Sequence, residues 1–428
     1  MSDSLVIRGG RVIDATGIRD ADVRIEGGHV TEIGTGLHGD QVLDASDAIV
    51  APGLVDLHVH LREPGGEEAE TIETGARAAA LGGFTAIVAM PNTEPPQDDP
   101  AVVSSVLAKG SQSLCDVHAA GAITIGRAGA ALAPMGELYA LGVRIFTDDG
   151  ACVASAGMMR AALEYARSLP GAVIAQHAED ETLATGHMHE GEWSSRLGIP
   201  GRPAAAEELV VARDCMLAEL TGTPVHFLHL STAGAIDLVR AAKARGVPVT
   251  AEAAPHHFTL TDAACQSFDP RFKVNPPLRT AADVAAVKAG LADGTIDAIA
   301  TDHAPHPTEA KERTFEEAPP GMLGLETALA LTITELVAPG VLPIEDALAR
   351  LSWGPAAIAG LTDHGGPIAV DAAANLCVID PKLEWTVDAS KLASRASNTP
   401  YDGRRLAGRV RHTVLRGEAV VTDGEARR

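Results

Sequence analysis

Two histidines spaced as His58-x-His60 end the apolar run LVDLHVH, and on an extended chain that spacing suits a metal ion. Side chains two apart on a strand point the same way, about 6.6–7 Å apart along it. Two imidazoles so placed can reach one ion with metal–nitrogen bonds of about 2.0–2.1 Å. His177 in AQHAED and His229 in FLHLST fit a second ion. Each alone would more often be a satisfied core histidine; beside the first pair, the two together read as ligands. Asp149 in FTDDG can bridge two cations through its two oxygens, while Asp148 should point the other way and serve structure. Asp302 in ATDHAPH suits a carboxylate that contacts a metal and shuttles a proton. Imidazole and carboxylate ligands favour Zn2+, with Mn2+ or Co2+ as substitutes. Such a pair of ions lowers the pKa of a bound water and polarises a carbonyl. The chemistry implied is hydrolysis of an amide-like bond, or its reverse, with Asp302 moving the proton between nucleophile and leaving nitrogen.

Arg62, two residues past His60, can grip a carboxylate with two hydrogen bonds; a surface ion pair is the competing reading. Asn92 in MPNT and His306 in DHAPH can add donors, although Asn92 also suits a plain turn. His187 and His189 repeat the His-x-His spacing, but within the polar stretch TGHMHEGEW, which reads as solvated loop. No Ser-x-Gly elbow, P-loop or dinucleotide fingerprint competes for the chemistry.

Something must bring these distant residues together. Eight apolar runs of strand length alternate with Ala-rich stretches of helical periodicity: 54–60, 85–90, 117–123, 143–149, 172–177, 225–230, 247–253 and 297–302. Helices are predicted between them, among others over 68–81, 157–168, 204–220, 232–245 and 281–292. Eight strand–helix units over this length predict an α/β fold built on a (β/α)8 TIM-type barrel. A doubly wound open sheet would share the pattern. It would not place His58, His60, Asn92, Asp149, His177, His229 and Asp302 at one end of strand after strand, the C-terminal rim where barrel sites are built. The first ~50 residues and the last ~65 read instead as short strands, such as 375–380 and 411–421. Neither group can bury a core alone, so a small composite β-sandwich from both termini is expected (1–52 with 362–428), flanking a catalytic barrel (53–361).

Composition narrows the function classes. With 34 Lys and Arg against 57 Asp and Glu the net charge is −23, a field that repels phosphate backbones and anionic membranes and argues against a nucleic-acid or membrane partner. The N-terminus lacks a signal-peptide pattern, and no window has the roughly 18 apolar residues of a membrane span. Cys115, Cys152, Cys215, Cys265 and Cys377 are odd in number and scattered, which predicts reduced core thiols and a cytoplasmic protein.

The segments DLHVHLREPG, GGFTAIVAMPNTEPP, FTDDG, AQHAED, FLHLST, APHHFTLTD, NPPLR and ATDHAPH occur in this order over nearly the whole barrel. As a set they resemble the dihydroorotases, in their longer bacterial type, of the cyclic amidohydrolase superfamily. The resemblance implies zinc-dependent, reversible cyclisation of N-carbamoyl-L-aspartate to L-dihydroorotate in pyrimidine synthesis, with a metal-bridging hydroxide as nucleophile. It assigns His58, His60 and Asp149 to one zinc, Asp149, His177 and His229 to the other, and the acid/base role to Asp302, which also contacts metal. That Asp149 rather than Asp148 is the ligand rests on this likeness. The substrate carboxylate would meet Arg62, Asn92 and His306, and the ring Asn275 and the Pro320–Gly321 loop, although the family often carries an aromatic residue where Pro320 stands. Related hydantoinases and allantoinases bridge their metals with a carboxylated lysine on the fourth strand. Here that strand reads VRIFTDD, so the resemblance puts an aspartate in its place. Another cyclic-amide hydrolase, or a non-catalytic scaffold for aspartate carbamoyltransferase, are the alternatives; retention of all four histidines favours a working site. The small-molecule substrate is the main partner implied, beside self-association and aspartate carbamoyltransferase. The charged stretch 306–322 follows the catalytic strand and is placed to close over substrate.

Overall fold

A computed structural model of the chain describes residues 4–427. All eight apolar runs are parallel strands: Leu54–Val59, Phe84–Ala89, Asp116–Ala119, Ile145–Phe146, Val173–Gln176, Val225–Phe227, Val249–Ala253 and Ala298–Ile299. The first three pair side by side, with Val55 opposite Ala86 and Ile87 opposite Val117. The remaining five do the same, Ile174 lying between Phe146 and Val225, and Glu252 opposite Ala298. Single parallel bridges, Gly121 to Phe146 and Val59 to His303, join the two groups into a closed (β/α)8 barrel. Val55, Leu57, Val88, Ile145, Ala175 and Ala298, from strands around the ring, pack into one interior cluster. A larger cluster, including Leu54, Phe84, Ile87, Ile174, Phe227 and Val239, seals the outer strand faces against the helices.

Five of the barrel helices start where a side chain can take their free N–H groups. Thr71, Asp99, Ser155, Thr232 and Thr280 each accept a bond from the first turn of the helix that follows, the arrangement that stabilises helix N-termini by about 1 kcal/mol. The first of these corrects the sequence reading. The helix runs Ile72–Leu81 rather than from 68, because Thr71 caps it and Glu70 turns inward to His303 at 3.2 Å. The fourth strand is likewise only Ile145–Phe146, because the Asp148 carboxylate draws the chain aside. It accepts from the N–H groups of Ile123 and Thr124 at 2.8 and 2.9 Å and from the Thr124 hydroxyl, a structural role as expected for that residue.

The terminal segments form two sheets. One holds Leu5–Arg8, Asp22–Glu26, His29–Gly34 and Gln41–Asp44. In the other, Ile49–Pro52 lies between Arg11–Asp14 and the C-terminal strand Leu376–Thr386, with Val50 opposite both Val12 and Val378. Ile7, Val23, Ile25, Val50, Val378 and Val414 pack together from the two sheets. The two termini thus build one β-sandwich, and this pairing supports a proposed division of the chain into 1–52 with 362–428 and 53–361. All five cysteines are buried and free.

Candidate active site

The strand ends deliver their polar residues to one place. His60, Arg62, Asn92, Asp149, His177, His229, Asn275, Asp302, His306, Pro320 and Gly321 line a single cavity of about 230 Å³. His58 is fully buried beneath it, its ring 5.2 Å from that of His60 and 5.1 Å from that of His229. An extra residue on the first strand between Asp56 and Val59 interrupts its register with the second strand; bulges of this kind re-aim side chains near sites.

Asp149 sits at the centre, and its two oxygens face different histidines. Oδ2 is 3.3 Å from His58 Nε2 and 3.5 Å from His60 Nε2. Oδ1 is 3.3 Å from His177 Nδ1 and 3.6 Å from His229 Nε2. Asp302 Oδ1 closes the first half, 3.2 Å from His60 Nε2 and 3.5 Å from His58 Nε2. Burial opposes charge on His58, His177, Asp149 and Asp302, yet the attraction of their partners wins there. It lifts His177 to about 9 and His58 well above the ordinary histidine range, and holds Asp149 and Asp302 well below the ordinary carboxylate range. At His60 burial, and then the Arg62 charge, win and lower its pKa.

The substrate-side residues surround this centre. Asn92 Oδ1 accepts from His60 Nδ1 at 2.9 Å, so Asn92 orients a histidine and keeps its amide N–H groups free to donate. Arg62 is half-buried, donates Nε to the Pro305 carbonyl at 3.2 Å, and has no carboxylate within ion-pair distance among the described residues, which removes the surface ion-pair reading. His306 donates Nε2–H to the Pro320 carbonyl at 2.8 Å; burial, and then the Arg62 charge, push it down to about 3, so it is neutral. Asn275 accepts from Arg202 and lies 3.4 Å from His177 Nε2. Gly321 has φ 136°, and a Cβ there would stand 2.7 Å from Ala304 Cβ, so only glycine fits. Arg62, His229 and Asp302 adopt positive φ (60°, 32° and 49°). Such backbone is costly for residues with a Cβ and gathers at functional sites.

Two families of sequence agree with this geometry. Residues 47–235 match the model of the dihydro-orotase-like family, and 229–421 that of the amidohydrolase family. The dihydroorotase of Pelotomaculum thermopropionicum is 51% identical over 424 residues, covering 98% of this chain and 99% of that protein. That of Streptomyces coelicolor is 49% identical over 431 residues, covering 99% and 100%. The chain belongs to the dihydroorotase family of amidohydrolases. Its fold also resembles the L-hydantoinase (dihydropyrimidinase) of Arthrobacter aurescens, with TM-score 0.89 at 26% identity over 100% of this chain and 97% of that one.

Enzymes of this family are metal-dependent, and the residues present fit metal ions. His58, Asp149 and His229 form one group of converging ligand atoms, and His58, His60 and Asp302 another. His58 Nε2 and Asp149 Oδ1 are buried without a hydrogen-bond partner. His177 Nδ1 and His229 Nε2 stand 3.0 Å apart, and two neutral ring nitrogens at that distance need a proton or a cation between them.

One sequence reading is overturned. His189 is buried, not solvated: Met188–His189 pairs with Gly201–Arg202, and Arg279 donates to His189 Nδ1 at 3.2 Å and to the Arg202 carbonyl at 3.1 Å. A buried guanidinium needs acceptors, and the polar stretch supplies them. Sequence reading also missed Glu179, Arg202 and Glu252. Glu179 Oε2 lies 3.6 Å from His177 Nε2 and 2.9 Å from Arg202 Nη1. The only local sign was Glu179 itself, two residues past a candidate ligand.

Proposed function

We propose that this protein catalyses the reversible interconversion of N-carbamoyl-L-aspartate and L-dihydroorotate, with two zinc ions held by His58, His60, Asp149, His177, His229 and Asp302. The observation that carries this reading is Asp149, whose two oxygens each address a different pair of histidines in a cavity lined by Arg62 and Asp302. Divalent ions held there would draw charge from the amide oxygen and acidify water. Arg62 and Asn92 grip the carboxylate that both substrates carry, joined by His306 when its Nε2–H turns from the Pro320 carbonyl to the substrate, and Asn275 with the Pro320–Gly321 backbone orients the ring. This places the scissile amide beside Asp302. In the hydrolytic direction Asp302 takes a proton from the attacking water and passes it to the departing ring nitrogen as the C–N bond breaks. In the reverse direction it takes that proton from the ureido nitrogen as the C–N bond forms and returns it to the carboxyl oxygen that leaves as water.

The same reading includes residence in the cytoplasm, consistent with five buried free thiols. Among the described residues no helix is long and apolar enough to cross a membrane. It also includes self-association and docking of aspartate carbamoyltransferase, both open to sedimentation of the chain alone and mixed with that enzyme. The catalytic test is incubation of metal-analysed protein with L-dihydroorotate, following loss of its ultraviolet absorbance, beside Asp302→Ala. Metal-dependent turnover that the variant lacks is expected. Turnover of hydantoin with none of dihydroorotate would move the activity to a neutral cyclic amide.

A further inference from the structure

The seventh barrel strand, Val249–Ala253, supplies no residue to the cavity, yet it places a carboxylate directly behind the site. Glu252 is 1% exposed, and both of its oxygens are taken by imidazoles. Oε1 lies 2.9 Å from His58 Nδ1 and Oε2 lies 3.0 Å from His226 Nε2. His226 in turn meets the Thr250 hydroxyl through Nδ1 at 2.8 Å. An ionised carboxylate only accepts, so both facing ring nitrogens must carry hydrogens. His58 is then held with its hydrogen on Nδ1, and its Nε2 faces Asp149 Oδ2 and Asp302 Oδ1 at 3.3 and 3.5 Å with no hydrogen-bond partner of its own. His226 is held the other way round, its Nδ1 accepting from Thr250.

We propose that Glu252 is a positioning residue: it fixes the tautomer and orientation of His58 so that the Nε2 lone pair is presented to a divalent cation, while His226 and Thr250 hold the other carboxylate oxygen. The inference rests on the metal reading above. Outer partners that orient a ligating histidine in this way typically change metal affinity by about 10–100-fold. The His177–His229 half of the site makes no contact with Glu252, so the larger loss should fall on the ion that His58 holds.

The test is zinc titration of metal-free protein against a chromophoric chelator, comparing wild type with Glu252→Gln. An amide offers one acceptor and one donor, so it cannot serve both imidazoles as the carboxylate does. Two equivalents are expected for wild type. In the variant, one equivalent should weaken about 10–100-fold and the other should weaken less, with circular dichroism and melting of the metal-free protein unchanged. Should Glu252→Gln fail to fold, Glu252→Asp keeps the charge but is too short to span both imidazoles, and the same selective loss is expected. Two unchanged equivalents would overturn the proposal. So would equal weakening of both ions together with a lower metal-free melting temperature, which marks a merely structural role. If wild type itself takes up no zinc, the metal reading falls first, and this inference with it.

Discussion

The residue that most directly tests the chemistry is Asp302, held at φ 49° with Oδ1 against two imidazoles. Asp302→Asn keeps the shape and removes the proton carrier. Loss of such a group typically costs 10²–10⁴ in rate, so kcat should fall by about that factor with little change in KM. A variant within threefold of wild type would remove Asp302 from the proton path. Arg62 acts on binding instead. A hydrogen bond to a charged group contributes about 1.5–3 kcal/mol, so Arg62→Met should raise KM for L-dihydroorotate roughly 10–150-fold. Steady-state kinetics showing an unchanged KM would return Arg62 to a purely structural role. His58, His60, His177, His229 and Asp302 stood out in the sequence as ligand-type residues at the ends of apolar runs, whereas the choice of Asp149 over Asp148 rested on the family likeness. Glu252 did not stand out, because its partner His58 is 194 positions away and neither residue's neighbours point to the other.

At the scale of elements, the stretch 306–322 is the one to perturb. It is fastened from beneath by two buried lysines. Lys311 Nζ donates to the carbonyls of Pro270 at 3.0 Å and Pro319 at 2.8 Å, and Lys273 Nζ donates to the Glu316 carbonyl at 2.8 Å. Burial, and after it the nearby Lys273 charge, lowers Lys311 from 10.5 to about 7; Arg62 adds to this and Asp269 opposes it. Between about pH 7 and 10.5 the unfolded chain therefore binds more protons at this position than the folded one, and stability rises with pH through that window. Below about pH 7 the side chain is charged in both states, and the folded protein bears the cost of burying it. The stability difference between wild type and Lys311→Met should thus grow in favour of wild type between pH 6.5 and 9, measured by urea unfolding. A pH-independent difference would show that Lys311 does not titrate there. One of the two carbonyls that hold Lys311, that of Pro270, lies 41 residues upstream, so the charge and spacing of the stretch alone gave no sign of this anchor. His189 gives the same lesson: a polar stretch reads as solvated until Arg279, ninety positions on, is folded against it.

For the whole molecule, two expectations follow from how the parts are joined. Removal of metal should abolish turnover and lower the melting temperature, since an ion bound only to the folded state stabilises it by mass action, about 2.7 kcal/mol at a hundredfold excess over Kd. Zinc should restore both; calorimetry showing the same melting temperature with and without chelator would argue that no ion is bound. The second concerns Arg405–Leu415, which contributes Val410 to the barrel-side core and Val414 to the sandwich core. Deleting residues 405–428 should therefore abolish cooperative unfolding of the remainder, not only of the sandwich. A truncated chain that still melts cooperatively near the wild-type temperature would show the barrel to be independent.

The eight barrel strands, the paired terminal segments and the ligand-type residues at the strand ends were all legible in the sequence, because each depends on local periodicity and on which residue follows an apolar run. What only the tertiary structure decided were relations between residues far apart in the chain. Asp149 addresses two histidine pairs at once, Asn92 holds His60 through its amide oxygen while keeping its N–H groups to donate, and Glu252 joins His58 to His226. Hydrogen bonds have lengths and directions that no spacing along the chain specifies, and closure of the barrel is what sets them.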